Sequence, residues 1–197
     1  MNMNRILKLD EYGSPLEWIT IQEAIKYHAT EQVAWEIGAK IVKYRGGHNK
    51  LSGIQSTIHT ASVIAIHGAN YAKNGFKKVL LTNELLFARD LHRCAYCGKY
   101  FPNFHDLSRD HIVPVVQGGK DTWNNVITSC KRCNNIKGNK TPDQANMPLQ
   151  FKPFEPTWNE RMILTMRNAT PEQSEFLKGL VVHDRVASFL LTNRKRL

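Results

Sequence analysis

Two short stretches decide the fold: Cys94-Ala95-Tyr96-Cys97 and Cys130-Lys131-Arg132-Cys133, each a pair of cysteines separated by two residues. Two such pairs supply the four thiolates of a tetrahedral structural zinc site. The competing interpretations are a redox pair, which requires a thioredoxin-like helix start, and four ordinary buried thiols. We expect Cys94, Cys97, Cys130 and Cys133 to bind Zn²⁺. Four protein ligands leave no coordination position for a substrate, so this ion should hold the fold together and not catalyse.

The segment around these pairs carries a second pattern. Arg109-Asp110-His111-Ile112-Val113-Pro114 lies between them, followed by Gly118-Gly119 and by Asn124-Asn125-Val126, and Asn134-Asn135 comes directly after the last cysteine. This order resembles the HNH nuclease superfamily, in which an Asp-His pair ends a strand, a Gly-Gly loop and an Asn follow, and a His or Asn comes after the last cysteine. The resemblance extends over about 89–147.

The resemblance implies a ββα-metal fold, in which a hairpin delivers Asp110 and His111 and a helix beginning near Cys133 delivers Asn134. It also implies that Asn125 braces the loop beside the general base, with Asn124 as the competing choice. Successive residues of a strand point to opposite faces, so we expect a bend or bulge at Asp110 and His111.

The chemistry of these side chains agrees with what the resemblance implies. A histidine, with an unperturbed pKa near ~6.5, can accept a proton from water at neutral pH. The carboxylate of Asp110 and the side-chain carbonyl of Asn134 suit Mg²⁺ or Mn²⁺. Asn135 is the alternative ligand, but adjacent helical positions diverge by about 100° and only one can face the hairpin. Asn134 stands where many family members carry a histidine, which favours harder ions.

The charge of the chain indicates a polyanionic partner. There are 27 Lys and Arg against 17 Asp and Glu, a formal net charge of +10, and nucleic acid is the leading candidate. About half of that excess lies in 89–142. The residues expected to contact DNA phosphates are Arg109, Lys131, Arg132, Lys137 and Lys140.

The chain is expected to be α+β in three parts: an amino-terminal α/β region over 1–88 without an assigned role, the nuclease core with its structural zinc over 89–147, and an extended crossing followed by a helical segment over 148–197. A hydrophobic content of 42% supports a genuine interior. In the first part the sequence predicts a strand over Ile6–Leu9, a helix from the capping box of Thr20 and Glu23 to about Ala29, and a strand over Val33–Ile37. Lys43–Gly53 is predicted to be a loop, and Ile58–Ile66 is compatible with either helix or strand.

Helix starts are also predicted further along the chain. Thr141 and Pro142 have the pattern of a cap and first turn, and Thr170, Pro171 and Gln173 repeat it. The second of these helices is expected to continue to about Leu191. Its candidate core residues are Phe176, Leu177, Leu180, Val181, Val186 and Phe189.

Two functions are compatible with these patterns. The leading one is a metal-dependent DNA endonuclease; the alternative is a non-catalytic zinc-binding module that recruits partners to nucleic acid. No apolar run approaches the ~20 residues that span a bilayer, and Arg5 and Lys8 interrupt the start of the chain, which is unlike a secretion signal. We therefore expect a cytoplasmic protein without a membrane partner. The oligomeric state does not follow from the sequence, and a homodimer is one possibility.

Overall fold

The computed structural model describes residues 5–39, 42–69 and 78–194 of this protein. In chain order the elements of the described residues are β1 (Ile6–Asp10), β2 (Pro15–Ile19), α1 (Ile21–Ala29), β3 (Val33–Ile37), β4 (Val42–His48), β5 (Gln55–Thr60), β6 (Val63–Ile66), α2 (Asn83–Arg89), β7 (Leu107–His111), β8 (Val126–Cys130), α3 (Lys131–Lys137), α4 (Trp158–Leu164), α5 (Pro171–Lys178) and α6 (Asp184–Arg194). The protein is therefore α+β, as expected. None of these helices has the length and apolar character needed to cross a bilayer.

Contacts group the described chain into two compact units: 5–39, 42–69 and 166–180 form the first, and 78–165 with 181–194 form the second. The functional division into 1–88, 89–147 and 148–197 stays a prediction.

The first unit is built on a four-stranded sheet in the order β2-β1-β6-β3. The central strands β1 and β6 are parallel, and β2 and β3 pair antiparallel at the two edges. Both central strands are largely apolar and buried, because a strand covered on both faces needs hydrophobic side chains at successive positions. Helix α5 belongs to this unit. The Gln173 Nε2 donates to the carbonyl oxygens of Arg5 at 2.8 Å and Ser62 at 2.7 Å.

In the second unit α2 packs against the β7–β8 hairpin, and α4 and α6 pack against α2 and against each other. Its buried residues include Phe87, Ile127, Met162 and Val186. Arg89 is fully buried among them, and its guanidinium donates to Asp90 and to the carbonyl oxygens of Trp123, Val126 and Phe154. A buried guanidinium is tolerated when its donors are satisfied in this way. Arg89 thus ties α2 to the hairpin and to the extended segment before α4.

Several predicted elements of the chain are confirmed. The strand at Ile6, the strand over Val33–Ile37 and the helix after Thr20 are all present. The capping boxes at Thr20 and at Thr170 both form, with each threonine accepting from the backbone N–H three residues on.

Four sequence-based expectations are corrected or resolved. The predicted loop over 43–53 includes all of β4 except its first residue, because hydrogen bonds from β5 override a locally turn-rich sequence. The ambiguous stretch over 58–66 is strand, divided between β5 and β6. The helix predicted to run to Leu191 is two helices, since α5 ends at Lys178 before Gly179. Thr141 and Gln144 exchange capping bonds, but the chain makes only turns there and Asn146 follows with φ 52°.

Candidate active site and metal centre

The four cysteines come together where the β7–β8 hairpin meets the start of α3. Their four sulfurs all lie within 4.8 Å of one another, and none of the four is in a disulfide. Thiolates at ~2.3 Å from a tetrahedral Zn²⁺ are about 3.8 Å apart, so this set fits zinc in both donor type and size. Gly98, with φ 70°, makes the left-handed turn that follows the first pair. The predicted zinc ligands are therefore brought together.

The electrostatics of this cluster also suit a cation. Burial raises the pKa of the Cys94 thiol, but hydrogen bonds from the backbone N–H groups of Cys97, Cys130 and Tyr96 outweigh it and lower that pKa to about 7. Burial and the neighbouring cysteines raise the pKa of Cys133. Thiols this close resist joint ionisation, and a bound divalent ion would offset the repulsion between four thiolates.

One face of β7 is turned toward α3. Ser108 and Asp110, two residues apart, share this face. The Asn134 Nδ2 donates to the Ser108 Oγ at 3.0 Å, and the Lys137 Nζ donates to the Asp110 Oδ1 at 2.9 Å. The structure thus places Asp110 and Asn134 on the same side of the hairpin, as the predicted ion site requires.

Asp110 is deeply buried in this face, with 5% of its surface exposed. Its second oxygen accepts a hydrogen bond from the Tyr96 hydroxyl. Burial and this bond to a carboxylate raise the pKa of Tyr96, so the hydroxyl stays protonated and donates. Each carboxylate oxygen has two lone pairs, so Tyr96 and Lys137 leave acceptor capacity on Asp110. The donor types fit a hard divalent cation, although the ammonium of Lys137 opposes its binding.

The opposite face of β7 carries Arg109 and His111. The His111 Nε2 lies 3.1 Å from the Asp121 Oδ1, and the Arg109 Nη1 donates to the other oxygen of Asp121 at 2.6 Å. The Arg109 Nε donates in turn to the Asn83 Oδ1 at 2.9 Å. A quarter of the His111 side chain is exposed. The imidazole is therefore oriented by a carboxylate while remaining open to solvent.

The bulge expected at Asp110 and His111 is absent. Pairing between β7 and β8 runs from Leu107 opposite Cys130 to His111 opposite Val126 without a register shift, and the chain bends only afterwards, at Ile112 and Val113. A regular strand sends neighbouring side chains to opposite faces. Asp110 consequently lies on the face of β7 that α3 contacts, and His111 lies on the opposite face beside Asp121, so the structure does not bring His111 together with the predicted ion ligands.

Asn125 closes the loop after His111. Its Oδ1 accepts from the Val113 N–H at 2.9 Å, and its Nδ2 donates to the carbonyl oxygens of Val113 and Lys120 at 3.1 and 2.9 Å. A Cβ on Gly119 would lie 1.7 Å from the Val113 carbonyl oxygen, so only glycine fits there. The side chain of Asn125, and not that of Asn124, makes these three bonds.

The comparisons with known proteins concern this same segment. Residues 94–150 match the family model described as HNH endonuclease. This part of the chain is an HNH module. Over 48 residues, corresponding to 24% of this chain, the sequence is 46% identical to the CRISPR-associated endonuclease Cas9 of Corynebacterium diphtheriae. That match spans only 4% of the larger protein, so the likeness is to one segment of it.

The residues predicted to contact phosphates differ in accessibility. Lys131, Arg132 and Lys140 are exposed around α3. Arg109 already donates to Asp121 and Asn83, and its phosphate contact stays a prediction. Lys137 is only 1% exposed, and its Nζ donates to Asp110 and to the His111 carbonyl oxygen. The structure corrects the prediction for Lys137, because a phosphate cannot reach an ammonium buried in the HNH module.

Sequence reasoning missed Asp121 and the partners of Asp110. Asp121 follows the Gly118-Gly119 turn of the HNH module, and an acidic residue just after a loop that returns toward a histidine was the available signal. Tyr96 lies between Cys94 and Cys97, and no pattern in the sequence predicts a role for its side chain.

Proposed function

We propose that this protein is a metal-dependent DNA endonuclease in which His111 takes a proton from the water that attacks a phosphodiester. The observation that carries the proposal is the pairing of the His111 Nε2 with Asp121 on the exposed face of β7, inside the segment that matches the HNH endonuclease family. A nuclease-type activity follows from the family. The substrate, the ion and the role of each residue are part of the proposal.

His111 and Asp121 together have the properties of a general base and its orienting group. When Asp121 accepts a hydrogen bond from the Nε2–H, the lone pair of the Nδ1 is left to accept a proton from water. The carboxylate also stabilises the imidazolium that forms. Arg109 holds the second oxygen of Asp121, so the carboxylate cannot rotate away from the histidine. Asn125 would maintain this geometry by fixing the loop between His111 and Asp121.

Asp110 and Asn134 are the proposed ligands of the catalytic ion, Mg²⁺ or Mn²⁺. Such an ion, when bound, neutralises charge that develops on the phosphate and on the leaving oxygen. Asp110 retains acceptor capacity, and Asn134 offers a carbonyl oxygen from the same side of the hairpin. Lys137 would hold the carboxylate of Asp110 in its orientation.

DNA is the proposed substrate because exposed positive charge surrounds the start of α3. Lys131, Arg132 and Lys140 are available to phosphates there, and such contacts carry affinity without reading bases. Weak sequence preference and strong salt dependence should result. Four reduced cysteines also fit a reducing compartment, so we propose that the protein acts in the cytoplasm.

One observation favours a second candidate, a non-catalytic zinc-binding module that contacts nucleic acid. Both oxygens of Asp110 already have partners, and one of these partners is a cation. If the ammonium of Lys137 excludes a divalent ion, the module would bind DNA without cutting it.

Plasmid nicking separates the two candidates. The wild type, incubated with supercoiled plasmid and Mg²⁺ or Mn²⁺, should produce nicked circles, and His111→Ala should reduce the rate by about 10²- to 10⁴-fold. The matched control is His105→Ala, which removes another exposed imidazole of the same unit and should leave the rate unchanged. Equal rates for wild type and His111→Ala above background would support the non-catalytic module.

A further inference from the structure

We propose that the hairpin of β4 and β5 is a DNA-docking arm that contacts the phosphate backbone through Arg45 and Lys50. The hairpin belongs to the first compact unit and lies outside the segment that matches the HNH family. The inference rests on the proposed function only in taking duplex DNA as the partner.

Positive charge dominates the stretch of sequence that contains the hairpin. Between Glu36 and Glu84 the sequence contains no acidic residue, whereas 17 acidic residues spread evenly over the chain would place about four there. Basic residues are frequent in the same stretch, at Lys40, Lys43, Arg45, Lys50, Lys73, Lys77 and Lys78. An uninterrupted excess of positive charge provides complementarity to a polyanion.

The hairpin has the shape of a two-stranded ribbon. β4 and β5 pair antiparallel with each other, from Val42 opposite Thr60 to His48 opposite Gln55, and no third strand of the described residues joins them. Strands in such a ribbon are ~4.8 Å apart, and a two-stranded ribbon fits the ~12 Å major groove of B-DNA. Tyr44, Arg45 and His48 are exposed along β4.

The tip of the hairpin is an ordered turn that presents the ammonium group of Lys50. The Asn49 Oδ1 accepts from the backbone N–H groups of Leu51 and Ser52 at 2.8 and 3.1 Å. The Asn49 N–H donates to the Ile54 carbonyl oxygen at 2.8 Å, which closes the turn. Lys50 is exposed beside Leu51, whose side chain is 100% exposed. A preformed turn loses less conformational freedom on binding than a disordered loop.

The hairpin also has a firm base and a close cross-strand contact. Thr60 and Ala61, at the end of β5, are completely buried, and β5 lies beside α1. A Cβ on Gly46 would lie 2.2 Å from the Ser56 Oγ, so this glycine permits the close approach of the two strands. The base of the hairpin is therefore packed within the first unit, while Arg45 and Lys50 are exposed.

The alternative partner of a basic segment with an apolar tip is an anionic membrane. Membrane insertion requires a continuous apolar face, and the tip offers only Leu51 and Ile54 as exposed large hydrophobic residues. Polar side chains such as Gln55, Ser56 and Thr57 follow immediately. These suit a phosphate and sugar surface better than an acyl chain, so the observations favour DNA.

The test measures DNA affinity of the full chain without added divalent metal, so that no cleavage occurs. The probe is a fluorescein-labelled 30-base-pair duplex, and fluorescence anisotropy gives Kd at several KCl concentrations. Each phosphate contact contributes about 0.9 to the slope of log Kd against log salt concentration. We expect Arg45→Gln with Lys50→Gln to lower that slope by about 1.8 and to weaken binding about 10- to 60-fold near ~0.1 M KCl.

The matched control is Lys26→Gln with Lys178→Gln, which removes two exposed charges from helices of the same unit. It should leave Kd and the slope within about twofold of wild type. Equal losses in the two double variants, or no loss in the hairpin variant with an unchanged circular dichroism spectrum, would overturn the proposal. If the hairpin variant binds DNA as the wild type does but no longer sediments with phosphatidylserine vesicles that bind the wild type, the hairpin would be assigned to membranes instead.

The same variants distinguish this inference from the proposed nuclease activity. His111→Ala should lose nicking while retaining DNA affinity, whereas the hairpin variant should raise KM and keep kcat. If His111→Ala nicks at the wild-type rate and the hairpin variant still loses affinity, the proposed base is wrong and the docking arm stands.

Discussion

At the scale of single residues, Asp121 determines what His111 can do. One carboxylate oxygen lies 3.1 Å from the imidazole and the other accepts from Arg109 at 2.6 Å. About half of the Asp121 side chain is exposed, so its ion pair contributes little to the stability of the fold, and its main effect is to orient the imidazole of His111. Its contribution should therefore be visible in catalysis and nearly absent from the free energy of unfolding.

Asp121→Asn tests this positioning role. The amide retains the shape but can present an N–H to the imidazole, which favours the wrong tautomer. We expect kcat for plasmid nicking to fall by roughly 10²- to 10⁴-fold, with KM within about threefold of wild type. Asp106→Asn, at another exposed aspartate of the same unit, is the control. A rise in KM at constant kcat would show that Asp121 binds substrate and does not orient the base.

Unlike the exposed Asp121, Lys137 is buried, so its ion pair should contribute to the stability of the fold. Breaking a buried ion pair leaves an unpaired charge, which destabilises by about 3–5 kcal/mol. Lys137→Met should therefore lower the free energy of unfolding by that amount in urea denaturation. Lys140→Met, an exposed neighbour, should change it by less than about 0.5 kcal/mol. Similar values for the two variants would mean that the Asp110–Lys137 pair contributes little.

At the scale of elements, the four cysteines connect the turn over 94–98, the β7–β8 hairpin and the start of α3. Cys97→Ser should reduce zinc content and lower Tm, because metal binding and folding of such a module are linked. Asp110→Asn should leave about one zinc per chain while suppressing nicking. Elemental mass spectrometry with thermal unfolding measures both. Zinc lost from the Asp110 variant but kept in the Cys97 variant would reverse the assigned roles.

Glu160 connects α4 with the segment before α6. Burial raises its pKa, but hydrogen bonds from Thr157 and His183 outweigh burial and hold the pKa below its ordinary value of 4.5. A depressed carboxyl pKa contributes stability that is present above about pH 4.5 and is lost as pH falls through the lower folded-state value. The wild type should therefore lose stability on acidification below pH 4.5.

The variant Glu160→Gln isolates this effect. It should be less stable than wild type at pH 7 by about 1–3 kcal/mol, and the difference should shrink between pH 4.5 and pH 3. Urea midpoints at several pH values measure it, with the exposed Glu155→Gln as the control. A constant difference across that range would exclude Glu160 as the titrating group.

Elements with a local signal were predictable, and elements made by pairing were not. Thr20 with Glu23 and Thr170 with Gln173 each specify a helix start within four residues, and both helices form. β4 contains Gly46 and Gly47, and this composition predicts a loop. The strand forms because β5 supplies the backbone hydrogen bonds, and a local pattern does not reveal that pairing. Thr141 shows the reverse, since a capping bond alone did not produce a helix.

At the scale of the whole molecule, the accessible positive charge is not distributed as the sequence alone predicts. Of the basic residues in 89–142, Arg89 and Lys137 are internal and neutralised by Asp90 and Asp110. The stretch between Glu36 and Glu84 contains no acidic residue and lies outside the HNH module. Both observations move the expected DNA contacts toward exposed residues such as Lys131 and Arg45.

The motif predicted candidate site residues in the HNH module, but it did not predict the partners that the structure shows for them. Zinc ligands are specified by spacing alone, so all four cysteines were identified correctly as a cluster. Asp110 and His111 are neighbours in sequence, yet the regular strand separates their side chains. Lys137, the partner of Asp110, is 27 residues away, and no periodicity of the sequence predicts a contact between residues so far apart.

The measurement that tests the central claim most directly is chemical rescue of plasmid nicking in His111→Gly. The variant should nick at least ~10²-fold more slowly than wild type in Mg²⁺, and added imidazole should restore a substantial part of the rate in proportion to its concentration. The same imidazole should not accelerate the wild type or Asp110→Asn. A His111→Gly variant that nicks as fast as wild type, or one that imidazole accelerates no more than Asp110→Asn, would contradict His111 as the group that accepts the proton.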